Sequence, residues 1–149
     1  MRAVIQRVRD SKVLVNDRLV GKTGRGILVF LGVEEDDTQQ DADYLLSKAI
    51  NLRIFEDQDG RMNLSLKDVN GEVMVISQFT LLGDCRKGRR PSFGDAASPE
   101  KAKALYQYFV SKIRGNSIAV STGEFQARMD VHILNEGPVT LLLDSKKRF

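Results

Sequence analysis

Cysteine and histidine are nearly absent. Cys85 and His132 are single copies in 149 residues, and tryptophan is missing altogether. One cysteine excludes an internal disulfide, and one cysteine with one histidine leaves no cluster of metal ligands. A Ser-His-Asp triad would have to use His132, which falls on the polar face of its strand pattern. No apolar run approaches the ~20 residues of a membrane span. Met1–Val8 alternates like a strand and has no apolar core of the kind a secretory leader carries. Gly21 to Gly26 holds three glycines but lacks the Gly-Lys-Ser/Thr ending of a phosphate loop, so it reads as a turn. The carboxylates are scattered, without the facing pair that glycoside cleavage needs. A reducing cytoplasm is the expected setting, since nothing calls for oxidised thiols.

What remains is ordinary in bulk and informative in detail. Hydrophobic residues make up 42% and charged residues 29%, with no break in composition, so residues 1–149 are expected to form one domain. The net charge is +3, but the positive charge is clustered. Arg86, Lys87, Arg89 and Arg90 share one short Gly-containing loop, and Lys146, Lys147 and Arg148 lie together near the end of the chain. Such clusters suit contact with phosphate, or they are simply solvated.

Periodicity predicts strands first. Ala3 and Ile5 alternate with Arg2 and Gln6, Val13 and Val15 with Lys12 and Asn16, and Asn16-Asp17 is a turn into Leu19-Val20. Ile27 to Leu31 is apolar without alternation, which predicts a strand covered on both faces. Asp36, Asp37 and Thr38 then open a helix with an apolar stripe of Ala42, Leu45, Leu46, Ala49 and Ile50. Asp59-Gly60 is a turn, and Asn63 to Leu66 reads as irregular structure before the Asn70-Gly71 turn. Glu72 to Leu82 is predicted to be the central strand. A second helix is bounded by Ser98, Pro99 and Gly115, with a stripe of Ala102, Leu105, Tyr106, Phe109 and Ile113. Three strands are expected to finish the chain, with Val139 to Leu143 as a buried run. The order predicts a single mixed α/β domain: a central, barrel-like sheet and two main helices.

Two polar stretches stand out. Ser77-Gln78-Phe79-Thr80-Leu81 places hydroxyl and amide groups at the end of an apolar strand, where each would cost about 1–3 kcal/mol if left unpaired. They are satisfied by neighbours or they face a ligand. Thr80 is a candidate nucleophile without a visible base, so the backbone N–H groups of the stretch are the alternative means of stabilising an oxyanion. The second stretch is Asn135-Glu136-Gly137-Pro138-Val139-Thr140. It reads as a hairpin turn, or as a Gly-Pro bond in the cis form that redirects its carbonyls.

Together the two stretches resemble the signatures of the D-aminoacyl-tRNA deacylases. The likeness extends to Met1–Val8, Asn51–Phe55 and Arg86–Phe93, nearly the whole chain. It implies a homodimeric cytoplasmic enzyme that needs no cofactor or metal and cleaves the ester joining a D-amino acid, or glycine mischarged on the tRNA for alanine, to the tRNA 3′ end. By the same resemblance Gly137-Pro138 is cis and enters the partner's pocket, where Ser77, Gln78, Phe79 and Thr80 carry the reaction. Arg7 steadies the Gly-Pro loop, and Phe125 and Met129 hold the terminal adenosine. The basic loop Arg86, Lys87, Arg89 and Arg90 adds tRNA contacts. A non-catalytic RNA-binding module and a Thr80-dependent hydrolase of other esters are the competing expectations.

Overall fold

The computed structural model describes residues 1–149. Its sheet is built from β1 (Arg2–Val15), β2 (Arg18–Thr23), β3 (Gly26–Gly32), β6 (Glu72–Ser77), β7 (Val120–Thr122) and β8 (Asp130–Asp144). The strand order is β2-β1-β3-β6-β7, with β8 paired to β1. Helix α1 (Gln39–Asn51) and the small hairpin of β4 (Phe55–Glu56) and β5 (Met62–Leu64) connect β3 to β6. A short 3-10 turn (Phe79–Leu82) and helix α2 (Pro99–Gly115) connect β6 to β7. Both crossovers join parallel neighbours, as the pairing of β6 with β3 and β7 shows.

The strand turns obey the expected chemistry. Asn16 and Asp17 both have positive φ, which matches the twist of the β1–β2 hairpin. Ile27 to Leu31 is apolar on both faces because both are covered. Ile27, Val29 and Leu31 join the larger core under the helices with Val73 and Val75, while Leu28 packs with Met74 and Ile76 in the smaller cluster. The sheet curls until it nearly closes. At the seam, a Cβ on Gly21 would lie 2.4 Å from the Thr122 carbonyl oxygen, and the Ser121 hydroxyl donates to Lys22 O at 2.7 Å.

Both helices form where predicted. Thr38 is the N-cap of α1, with Asp41 accepting from its backbone N–H. Asp37 does not cap the helix; its buried carboxylate accepts from the Met1 ammonium and from Glu34 N. Ser98 caps α2 and Pro99 opens it. Val110 is buried on its stripe, whereas Ala102 is only half-buried.

Five expectations are corrected. Met62–Leu64 is a strand, since it finds Phe55–Glu56 as a partner. The central strand stops at Ser77, and the chain tightens into the 3-10 turn, which leaves Phe79 and Thr80 exposed. The hexapeptide Asn135–Thr140 is not a hairpin turn, and the C-terminal part of the chain holds two strands, not three. β8 runs straight through it, because the residues on both sides pair with the same strand, β1. Finally, Val139–Leu143 is not buried throughout: it alternates, with Leu142 61% exposed.

Candidate functional site

The hexapeptide is a wide bulge. Val8 pairs with Asn135 and Gln6 with Thr140, so the four residues Glu136–Val139 stand opposite Arg7 alone. The surplus backbone arches out of the ladder, with Gly137 at φ +122° and the Gly137-Pro138 bond cis. Arg7 fills the space beneath. Its guanidinium donates to Ile54 O at 2.6 Å and to Glu136 O at 3.1 Å, and it lies 3.7 Å from the carboxylates of both Glu56 and Glu136. Arg9 and Arg25 approach the Glu136 carboxylate from the outside, at 3.6 and 3.8 Å. Gly137 and Pro138 are themselves exposed and do not line the cavity at the end of β6.

A cavity of about 570 Å³ opens at the end of β6. Ser77, Gln78 and Phe79 form one side and Phe125 and Met129 another. Phe125 leans on Tyr106, their ring centroids 5.9 Å apart. Met129 packs onto Ile76 across Gly123, where any Cβ would lie 2.4 Å from its sulfur. The remaining wall is small: Ala96, Ala97, Ala102 and Ala127 leave the space that larger side chains would fill. Sequence reasoning does not single out these alanines as a cavity wall. The run Ala96-Ala97 beside the Ser98-Pro99 helix start is the signal available.

At the cavity mouth, Phe79 is 57% exposed and meets Phe93 edge-on at 5.1 Å. The first amides of a helical turn have no partner within it. Those of Phe79 and Thr80 find none elsewhere in the main chain, whereas Gln78 N donates to Leu31 O. Thr80 Oγ1 accepts from the Gln78 side-chain amide, and no base reaches it. His132, the only imidazole, sits on the exposed face of β8.

The basic loop is divided in its charge. Asp84 accepts from Arg86 Nε and Nη2, both at 2.8 Å, which holds the Asp84 carboxyl far below its usual range and raises the Arg86 guanidinium in turn. Lys87, Arg89 and Arg90 are exposed and have no carboxylate partner. The only crowding of potential metal ligands is at Glu34, Asp36 and Asp37. There the counter-charge comes from the protein. Burial favours a neutral Lys146 amine, but hydrogen bonds to Asp36 and Glu34 outweigh it and keep the group protonated, while Arg148 and the Met1 ammonium complete the neutralisation.

Residues 4–144 match the family described as D-Tyr-tRNA(Tyr) deacylase. The chain is 59% identical to the D-aminoacyl-tRNA deacylase of Thermotoga petrophila and 61% identical to that of Thermosipho melanesiensis. In both, all of each chain is covered. A solved structure titled c-Myc DNA Unwinding Element Binding Protein superposes with a TM-score of 0.91 at 38% identity, over 97% of this chain and 98% of that one. A second, titled as a probable eukaryotic D-amino acid tRNA deacylase, reaches a TM-score of 0.81 at 22% identity, over 96% and 98%, and speaks to the fold alone.

Proposed function

Because this chain belongs to the D-Tyr-tRNA(Tyr) deacylase family, we propose that it clears D-amino acids, and glycine mischarged on the tRNA for alanine, from tRNA by ester hydrolysis at a site shared between two copies. The observation that carries the reading is a separation. The cavity, with Phe79 on its wall and the two free amides beside it, lies at the end of β6, while Gly137 and Pro138 stand exposed on β8 and are not among its lining residues. In a homodimer each bulge enters the other copy's cavity mouth.

The terminal adenosine stacks between Phe125 and Met129, and the ester carbonyl reaches the 3-10 turn. A water attacks the carbonyl carbon, assisted by the ribose 2′-hydroxyl. The oxygen that gains charge is held by Phe79 N–H and Thr80 N–H. Each such donor is worth about 3 kcal/mol of barrier. Collapse returns the electrons, and the ribose 3′-oxygen leaves with a proton, giving free amino acid and tRNA. The Gly137 and Pro138 carbonyls of the other copy face the substrate α-carbon. An L side chain is driven into them, a D side chain points away, and glycine has none to clash. Gln78 orients Thr80, Arg7 braces the bulge from below, and Lys87, Arg89 and Arg90 meet tRNA phosphates in a loop that the Arg86–Asp84 pair keeps folded.

The test is to incubate the protein with D- and L-tyrosyl-tRNA side by side and follow amino acid release. Release from the D form alone is expected. Thr80→Ala is expected to keep turnover within about tenfold of the parent, since no base activates its hydroxyl. An acyl group trapped on Thr80 would overturn the water mechanism. Salt-sensitive RNA binding without cleavage would favour a non-catalytic module, and turnover of small esters without tRNA a general esterase.

A further inference from the structure

A second groove, of about 710 Å³, begins where the cavity ends. Phe125 is the wall between them: it lines both. From there the groove follows one face of α2, past Lys103, Gln107, Val110 and Arg114. These positions recur at intervals of three and four residues, so their side chains stand in one row. Lys103 and Arg114 are exposed, and no carboxylate lies within 4 Å of either. The one acid of the groove, Glu124, pairs with Arg18 at 3.3 Å. The row offers two unmatched positive charges and an amide at Gln107, and it leads out of the place proposed for the terminal base.

We infer that this groove is the track for the single-stranded end of the tRNA, with Lys103 and Arg114 contacting its backbone phosphates. The inference rests on the deacylase reading above and assigns part of the substrate that the cavity leaves unaccounted for. The dimensions suit it. At 1.5 Å per residue, Lys103 and Arg114 lie roughly 16 Å apart along the helix. Stacked at about 3.4 Å per nucleotide, a strand would need some five nucleotides to cover this, more than the single-stranded end has; unstacked and extended, the three that precede the terminal adenosine reach. Lys112 does not belong to the row, since it lies over the Tyr108 ring at 5.1 Å.

The experiment compares the parent with Lys103→Ala/Arg114→Ala on three probes: D-tyrosyl-tRNA turnover, binding of uncharged tRNA, and hydrolysis of 3′-O-(D-tyrosyl)-adenosine, which has no upstream phosphates. Both residues are exposed, so the melting temperature should not change, and it is checked. The expected result is a rise of about tenfold in KM and in the tRNA Kd at 0.1 M salt. The salt slope of log Kd should flatten by about 1.4, at 0.7 per single-strand phosphate, with the adenosine ester cleaved at the parent rate. An unchanged Kd and slope would sink the inference, as would an equal loss on the adenosine ester. So would a slope that flattens only in Lys87→Ala/Arg89→Ala/Arg90→Ala. A parent that binds tRNA but releases no amino acid refutes the deacylase reading, while uncharged-tRNA binding still decides the fate of the groove.

Discussion

A guanidinium that is 5% exposed must find acceptors or lose several kcal/mol, and Arg7 finds two carbonyls and two carboxylates. Its fixed position makes Gly137 irreplaceable. A Cβ there would lie 2.9 Å from Arg7 Nη2, on a backbone whose φ of +122° L side chains rarely adopt. Gly137→Ala is therefore expected to lower D-tyrosyl-tRNA turnover by at least tenfold and to lower the urea midpoint as well, by the roughly 1–3 kcal/mol that a strained backbone residue costs. Steady-state kinetics beside an unfolding curve checks both. Tyr106 makes a different prediction. Burial pushes its hydroxyl up to about 12, against about 10 in an unfolded chain. Between those values the unfolded chain releases the proton and the native protein keeps it. Stability therefore falls as pH rises through that window, by up to about 1.4 kcal/mol per pH unit. Tyr106→Phe removes this component and costs about 1 kcal/mol near pH 7, for the lost bond to Val75 O. Melting temperatures of both proteins at pH 8 and pH 11 should converge at the higher pH.

Elements differ in how openly their residues announce them. The helices are legible because caps and stripe coincide: Thr38 with Leu45 and Leu46, Ser98 and Pro99 with Leu105 and Phe109. The Asn16-Asp17 hairpin is legible because its turn demands positive φ. β8 is not, because a wide bulge and a hairpin turn use the same residues, Asn, Gly and Pro. Only pairing to β1 on both flanks tells them apart, and that is a tertiary fact. β6 reads too long for a similar reason, since Phe79 and Leu81 alternate well enough for a strand yet sit in a 3-10 turn. The two short motifs stand out in the sequence, while the alanines that hollow out the cavity carry no chemical signature. Gly26 shows how closely the elements are fitted. A Cβ there would lie 1.9 Å from Glu72 O, a backbone atom of the neighbouring strand that cannot swing aside. Gly26→Ala should spread β3 from β6 and cost more than about 2 kcal/mol, read as a lower urea midpoint with an unchanged slope.

At the scale of the whole molecule, the long strand β8 pairs only with β1 and shows Leu134 and Leu142 to solvent at 52% and 61% exposure. A 15-residue open edge with exposed leucines invites pairing, and in the homodimer proposed above a second copy of the same surface would cover it. Light scattering is expected to give about twice the 16.7 kDa chain mass. Leu134→Glu/Leu142→Glu should return it to the monomer and abolish turnover together. A sharper test follows from the division of the site. On the shared-site reading proposed above, Gly137→Ala spoils only the bulge that a copy lends. Ala127→Trp fills only the cavity that it keeps, since Ala127 lines that wall. Each variant alone should be inactive as a homodimer. Unfolded together and refolded, half of the dimers are hybrids, and each hybrid holds one site made of an intact cavity and an intact bulge. About a quarter of the parent activity should return. If the bulge served its own chain's cavity, every site in the mixture would carry one lesion and none would recover.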